Sequence, residues 1–102
     1  MPTLMTMQMT GNAAQLEKTA ATEPESMRAI VDAARARGLI SHHFWAEGDT
    51  ILIVDIWPDQ AAFEAFFADQ GERIRSVMSA AGVTSPPEVR FFRQLSIGDD
   101  VD

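Results

Sequence analysis

The chain contains no cysteine and no tyrosine, and its eight lysines and arginines are outnumbered by fifteen aspartates and glutamates. The absence of cysteine excludes disulfide scaffolds, thiolate catalysis and cysteine-ligated metal sites. The formal net charge of -7 repels phosphate backbones and anionic lipids, so we expect neither a nucleic-acid nor a membrane partner. No apolar run approaches the roughly 20 residues that span a bilayer, and the start of the chain lacks the basic residues of a secretory signal. We therefore predict a cytoplasmic protein.

The length of 102 residues fits one compact domain, and the hydrophobic fraction of 46% is typical of globular proteins. We predict a single domain over residues 1–97 and a loose acidic tail over residues 98–102. A small core without cross-links often needs a partner subunit.

The first part of the chain has the pattern of a strand followed by helices. Methionines alternate with polar residues over Thr3–Thr10, which predicts a half-buried strand. Asn12 stands where it would cap a short helix, and Thr22 with Glu25 has the spacing of a capping pair for a second helix. Gly38 is expected to end that second helix.

The rest of the chain predicts a hairpin, a helix and a last strand. Residues 39–46 and Thr50–Trp57 are rich in branched and aromatic side chains and flank a short turn that contains Gly48, which indicates a β-hairpin. Asp59 is expected to cap a long helix, and residues 88–95 are expected to form the final strand.

The resulting order, β-α-β-β-α-β, is that of the ferredoxin-like α+β fold, in which helices cover one face of a four-stranded antiparallel sheet. The third strand is apolar on both faces, because Ile51 and Ile53 alternate with Leu52, Val54 and Ile56. Helices can cover only one of these faces, and a large uncovered apolar face indicates an interface. We therefore predict a homodimer packed sheet to sheet.

The chain resembles the dimeric α+β barrel superfamily, and within it the antibiotic-biosynthesis-monooxygenase-like branch. The resemblance lies in residues 38–42, 54–63 and 87–92, and its most specific element is Trp57 at the end of the third strand, followed by the capping Asp59 and then Phe63. This superfamily includes cofactor-independent oxygenases, haem-degrading monooxygenases, polyketide cyclases and isomerases, so the resemblance implies a fold and does not select a reaction.

A histidine and an aspartate are the best candidates for catalysis. A two-residue turn at positions 48 and 49 places His42 opposite Asp55, and Phe44 opposite Ile53. A carboxylate beside an imidazole fixes its tautomer and supports a general base, so we predict His42 and Asp55 as catalytic residues. A three-residue turn would instead bring Ser41 opposite Asp55. The alternative interpretation of the pair is a purely structural hydrogen bond.

The resemblance implies that Trp57 faces a pocket between sheet and helices, which would then also contain the two candidate catalytic residues. We predict a substrate-binding set on this side of the sheet, with core packing as the alternative role for its members. The set comprises Trp57, Phe44, Ile53, Phe63 and Phe67. Adjacent His42 and His43 point to opposite faces of a strand, so they cannot chelate one metal together, and we predict neither a metal nor a cofactor.

The haem-degrading relatives use an asparagine on the first strand and a histidine on the second helix of their fold. This chain has neither residue in those positions. We therefore predict a protein that binds a compact apolar or aromatic molecule, with cofactor-independent monooxygenation as the leading reaction. The alternatives are a non-catalytic ligand-binding or accessory protein, and a polyketide cyclase or isomerase.

Overall fold

A computed structural model describes residues 1–101, which form one four-stranded sheet and three helices. The elements are β1 (Thr3–Thr10), α1 (Ala13–Thr22), α2 (Pro24–Ala36), β2 (Ser41–Glu47), β3 (Thr50–Trp57), α3 (Gln60–Ala80) and β4 (Glu88–Arg93). The strand order is β2-β3-β1-β4, and all neighbouring strands are antiparallel. This topology confirms the ferredoxin-like α+β fold, with two helices in the first crossover. None of the helices in the described part of the chain is both long and apolar enough to cross a membrane.

The two helices of the first crossover begin in different ways. The side chain of Asn12 accepts a hydrogen bond from the third backbone N–H of α1 at 2.9 Å, so this predicted cap is confirmed. The predicted cap at Thr22 is wrong, because Thr22 is the last residue of α1 and its hydroxyl donates to the carbonyl of Lys18 at 3.0 Å. Glu23 precedes α2 and makes no side-chain cap. Pro24 starts α2, since its fixed φ and missing N–H suit the first turn of a helix.

The core lies between the helices and one face of the sheet. The side chains of this face are the inward residues of β1 and β3, and the opposing helix α3 contributes aromatic rings. The buried residues include Met5, Met7, Met9, Ile51, Ile53, Trp57, Phe63 and Phe66. Fully burying a large apolar side chain contributes about 1.5–3 kcal/mol, so these residues supply most of the stability of the sheet–helix contact.

The other face of the sheet has no helix over it. Leu52, Val54 and Ile56 of β3 are half-buried there. The flanking Trp45 of β2 is 61% exposed and Phe92 of β4 is 43% exposed. The alternation of β3 therefore places apolar side chains on both faces of the sheet, as the sequence predicted.

The ends of two strands differ from the sequence-based expectation. β4 ends at Arg93 instead of residue 95, because its partner β1 begins at Thr3, which lies opposite Arg93. Pro2 has no amide N–H to extend this ladder. β2 begins at Ser41 instead of residue 39. Residues 94–101 form no helix or strand. The domain boundary at residue 97 and the loose tail stay predictions, and Asp102 lies outside the described residues.

Candidate functional site

The β2–β3 hairpin sets the register of the site. Gly48 has a φ of 57°, in the left-handed region that tight two-residue hairpin turns require. His42 pairs with Asp55, and Phe44 pairs with Ile53, so the predicted register is confirmed. Ser41 lies opposite Ile56 instead of Asp55, which excludes the register of the longer turn.

His42 and Asp55 form a short hydrogen bond on the helix-covered face of the sheet. The distance from His42 Nδ1 to Asp55 Oδ1 is 2.6 Å, and the two side chains are 26% and 6% exposed. An ionised carboxylate only accepts hydrogen bonds, so His42 Nδ1 carries the proton when the imidazole is neutral. The other ring nitrogen, Nε2, is then unprotonated and can accept a hydrogen bond.

Trp57 is a third member of this hydrogen-bonded group. Its indole N–H donates to Asp55 Oδ2 at 3.1 Å, and its side chain is completely buried. Each carboxylate oxygen of Asp55 therefore has its own donor. Within residues 1–101, no buried side-chain polar atom lacks a partner. Sequence reasoning missed this bond, although the two-residue spacing on one strand already placed both side chains on the same face.

Aromatic rings hold Trp57 in place. Its ring centroid lies 5.7 Å from that of Phe63 and 5.3 Å from that of Phe66, within the range of favourable aromatic pairs. Phe63 also contacts Phe91 of β4 in an edge-on arrangement at 5.5 Å. This cluster fixes the indole, and through the indole it limits the positions that the carboxylate of Asp55 can adopt.

A cavity of about 50 Å³ lies beside the three hydrogen-bonded side chains. The structure brings all seven predicted site residues to its wall. They are His42, Phe44, Ile53, Asp55, Trp57, Phe63 and Phe67. Further lining residues that the sequence did not single out come from β1, α2 and the segment after α2, including Met5, Met27, Ile30 and Leu39. Apart from Trp57 N–H, His42 and Asp55 supply the polar side-chain atoms of the wall, and every other lining side chain is apolar.

The size of the cavity limits what it holds in its closed form. One water needs about 10–15 Å³, so the closed cavity accommodates a few waters and no aromatic ring. Met27, Ile30 and Phe67 are half-buried members of the wall, and the flexible side chain of Met27 adapts most readily to a change in shape. A groove of about 440 Å³ along α3 shares Met7, Phe67 and two further apolar side chains with the cavity. Displacing these shared side chains would join the two spaces.

His43 lies on the opposite face of the sheet, where it pairs with Val54 and is exposed. It is therefore separated from the cavity. In residues 1–101, no cluster of three or more histidine, aspartate or glutamate side chains has the arrangement of a metal site.

No protein-family profile matches the chain, and no curated protein matches it. Solved structures do share its fold. A monooxygenase of Streptomyces coelicolor in complex with nanaomycin D is 16% identical, with 93% of this chain and 88% of that chain covered and a TM-score of 0.67. The cofactor-independent oxygenase SnoaB of Streptomyces nogalater is 17% identical, with 97% of both chains covered and a TM-score of 0.62.

A protein of unknown function from Nitrosomonas europaea is also similar, with 16% identity, 99% of this chain and 96% of that chain covered, and a TM-score of 0.61. The predicted resemblance to antibiotic-biosynthesis-monooxygenase-like proteins is thus confirmed as a shared fold. Identities this low show the fold alone and do not select a reaction.

Proposed function

We propose that this protein is a cofactor-independent monooxygenase that binds a compact aromatic molecule in the cavity beside Trp57. The observation that carries the proposal is the 2.6 Å contact between His42 and Asp55 at the polar end of an otherwise apolar cavity. An apolar pocket with a few convergent polar side chains is the common form of a small-molecule site. SnoaB, a cofactor-independent oxygenase, shares the fold of this chain, which supports a reaction of the same class.

His42 acts as the general base in this proposal. Its Nε2 takes a proton from a phenol or from a methylene activated by a neighbouring carbonyl, and Asp55 stabilises the imidazolium that forms. The resulting carbanion-like anion reduces molecular oxygen, and a carbon–oxygen bond forms to give a peroxide. Loss of water from the peroxide leaves a carbonyl, so one oxygen atom enters the product and the other leaves as water. The four electrons that reduce dioxygen to the carbonyl oxygen and water all come from the substrate carbon, so the step needs no external reductant.

The apolar side chains that line the cavity have two roles in this reaction. Phe44, Phe63 and Phe67 offer ring faces and edges against which a flat substrate can pack. The same side chains exclude water from the anion before it meets oxygen. Because the closed cavity is small, substrate entry requires displacement of its half-buried side chains.

We also propose that the protein is a homodimer. The uncovered face of the sheet carries the half-buried Leu52, Val54 and Ile56, with the exposed Trp45 and Phe92 beside them. An apolar face of this extent is typical of an interface between subunits, and a second copy of the sheet matches it in shape and polarity. A monomer at micromolar concentration in analytical ultracentrifugation would contradict this proposal.

Oxygen uptake tests the proposed reaction. The probe is 1,8-dihydroxyanthrone, which carries both phenols and an activated methylene, with spontaneous oxidation subtracted and a chelator present throughout. The unmodified protein should consume oxygen, and His42→Ala should be slower by at least ~100-fold, the scale of lost general-base catalysis. His43→Ala is the matched control, because it removes the same ring from the opposite face and should leave the rate unchanged.

The alternatives give different results in the same assay. Conversion of the probe without oxygen uptake would indicate an isomerase or cyclase. Binding without any conversion would indicate a non-catalytic ligand-binding protein. Equal rates for His42→Ala and the unmodified protein would show that the His42–Asp55 pair is structural.

A further inference from the structure

The indole N–H of Trp57 has a single acceptor. Trp57 is fully buried, and its N–H donates to Asp55 Oδ2 at 3.1 Å. A buried tryptophan N–H without an acceptor is costly, and an indole N–H can only donate. Whatever side chain stands at position 55 must therefore turn an acceptor atom toward Trp57.

We infer that Trp57 is a positioning residue that orients the side chain at position 55 and, through it, the hydrogen bond that this side chain makes with His42. The oxygen facing Trp57 fixes the plane of the carboxylate, and the second oxygen then faces His42 Nδ1 at 2.6 Å. Nδ1 must carry the ring proton to make this bond, which leaves Nε2 unprotonated and able to act as a base. The inference rests on the proposed function only for its effect on turnover.

The need for a second anchor follows from the flexibility of aspartate. The terminal torsion of an aspartate side chain is broad, so one hydrogen bond alone leaves the carboxylate free to rotate. Trp57 cannot follow such a rotation, because Phe63 and Phe66 pack against its ring. Phe63 and Phe66 therefore control the orientation of the Asp55–His42 hydrogen bond, although neither ring takes part in it.

Replacing the carboxylate by an amide separates this inference from a purely structural role. In Asp55→Asn, the amide oxygen must face Trp57, because the indole N–H cannot accept. The amide NH₂ then faces His42 Nδ1, which must lose its proton, so the ring adopts the Nε2–H tautomer. In the double variant Asp55→Asn, Trp57→Phe, no donor at position 57 holds the amide oxygen, so the amide can also turn its oxygen toward His42. The Nδ1–H tautomer should then become populated again.

Long-range ¹H–¹⁵N correlation NMR on the full chain distinguishes the two tautomers without a substrate. Spectra are recorded well above the ordinary titration range of histidine, and His43→Gln assigns the signals. We expect Nδ1–H in the unmodified protein, Nε2–H in Asp55→Asn, and a measurable population of Nδ1–H again in the double variant. The matched control is Trp45→Phe in the Asp55→Asn background, which removes the exposed indole on the opposite face and should leave Nε2–H.

Two results would overturn the inference: Nδ1–H in Asp55→Asn, or Nε2–H alone in the double variant. If the double variant does not fold, 3-benzothienylalanine at position 57 in the Trp45→Phe background replaces the N–H by sulfur at nearly unchanged shape, with the same expected tautomers. Turnover should follow the tautomer. With 1,8-dihydroxyanthrone, kcat should fall by at least ~100-fold in Asp55→Asn relative to the unmodified protein, and it should rise again by at least tenfold in the double variant. The KM should stay similar in all three proteins. The expected tautomers without any oxygen uptake by the unmodified protein would contradict the proposed function and leave this inference standing.

Discussion

Truncating Asp55 should destabilise the fold more than truncating its partner His42. In Asp55→Ala, the N–H of the fully buried Trp57 loses its acceptor, which costs about 1–3 kcal/mol. The charge-assisted bond to His42 is lost as well, so we expect a decrease of about 3 kcal/mol in the free energy of unfolding. In His42→Ala, water can reach Asp55 Oδ1 because the His42 side chain is 26% exposed, and we expect a loss of about 1 kcal/mol.

Urea unfolding at a fixed protein concentration measures this difference, with thermal unfolding as a second readout. For a domain of this size, 1 kcal/mol corresponds to about 4–8 °C in Tm, so Asp55→Ala should melt roughly 12–24 °C below the unmodified protein. Asp55→Asn is the matched control, because the amide can still satisfy both neighbours, and it should stay within about 1.5 kcal/mol of the unmodified protein. Equal losses for Asp55→Ala and His42→Ala would refute the reasoning that Trp57 depends on Asp55.

Three further changes test other parts of the structure. Val54→Asp places a charge in the uncovered apolar face, so sedimentation should show a monomer for the variant and a dimer for the unmodified protein. A dimeric variant would contradict the proposed sheet-to-sheet interface. Gly48→Val should lower the free energy of unfolding by about 1–2 kcal/mol in urea, because a φ of 57° strains a branched side chain, whereas Gly48→Asn should cost less; equal losses would argue against backbone strain. Phe67→Ala should open the cavity into the groove along α3 and so raise the association rate of 1-naphthol. Stopped-flow measurement of Trp57 fluorescence quenching in a Trp45→Phe background gives this rate. An unchanged rate would show that the ligand enters elsewhere.

The sequence predicted the central pair of the site because both determinants are local. A two-residue turn fixes which residues of a hairpin face each other, and the alternation of side chains then places His42 and Asp55 on one face. Of these determinants, only the turn length was open, and the pairing of Glu47 with Thr50 shows that the turn has two residues.

The hydrogen bond from Trp57 to Asp55 was harder to predict from the sequence, because it depends on how far the indole side chain reaches. Trp57 reaches back along its own strand to Asp55, a contact that the spacing permits and does not require. The packing of Phe91 against Phe63 depends on the register of β4, which lies far away in the sequence. The predicted cap of α2 was wrong for a local reason. Pro24 strongly prefers the first position of a helix, and this preference outweighs the cap that the spacing of Thr22 and Glu25 suggested.

A crystal structure with 1-naphthol bound would show whether His42 contacts the hydroxyl group of an aromatic ligand in this cavity, as a general base must. We expect the ring beside Trp57, with its hydroxyl oxygen about 2.6–3.2 Å from His42 Nε2. A naphthol bound outside the cavity, or bound inside it with the hydroxyl turned away from His42, would show that His42 is not placed to act as the base.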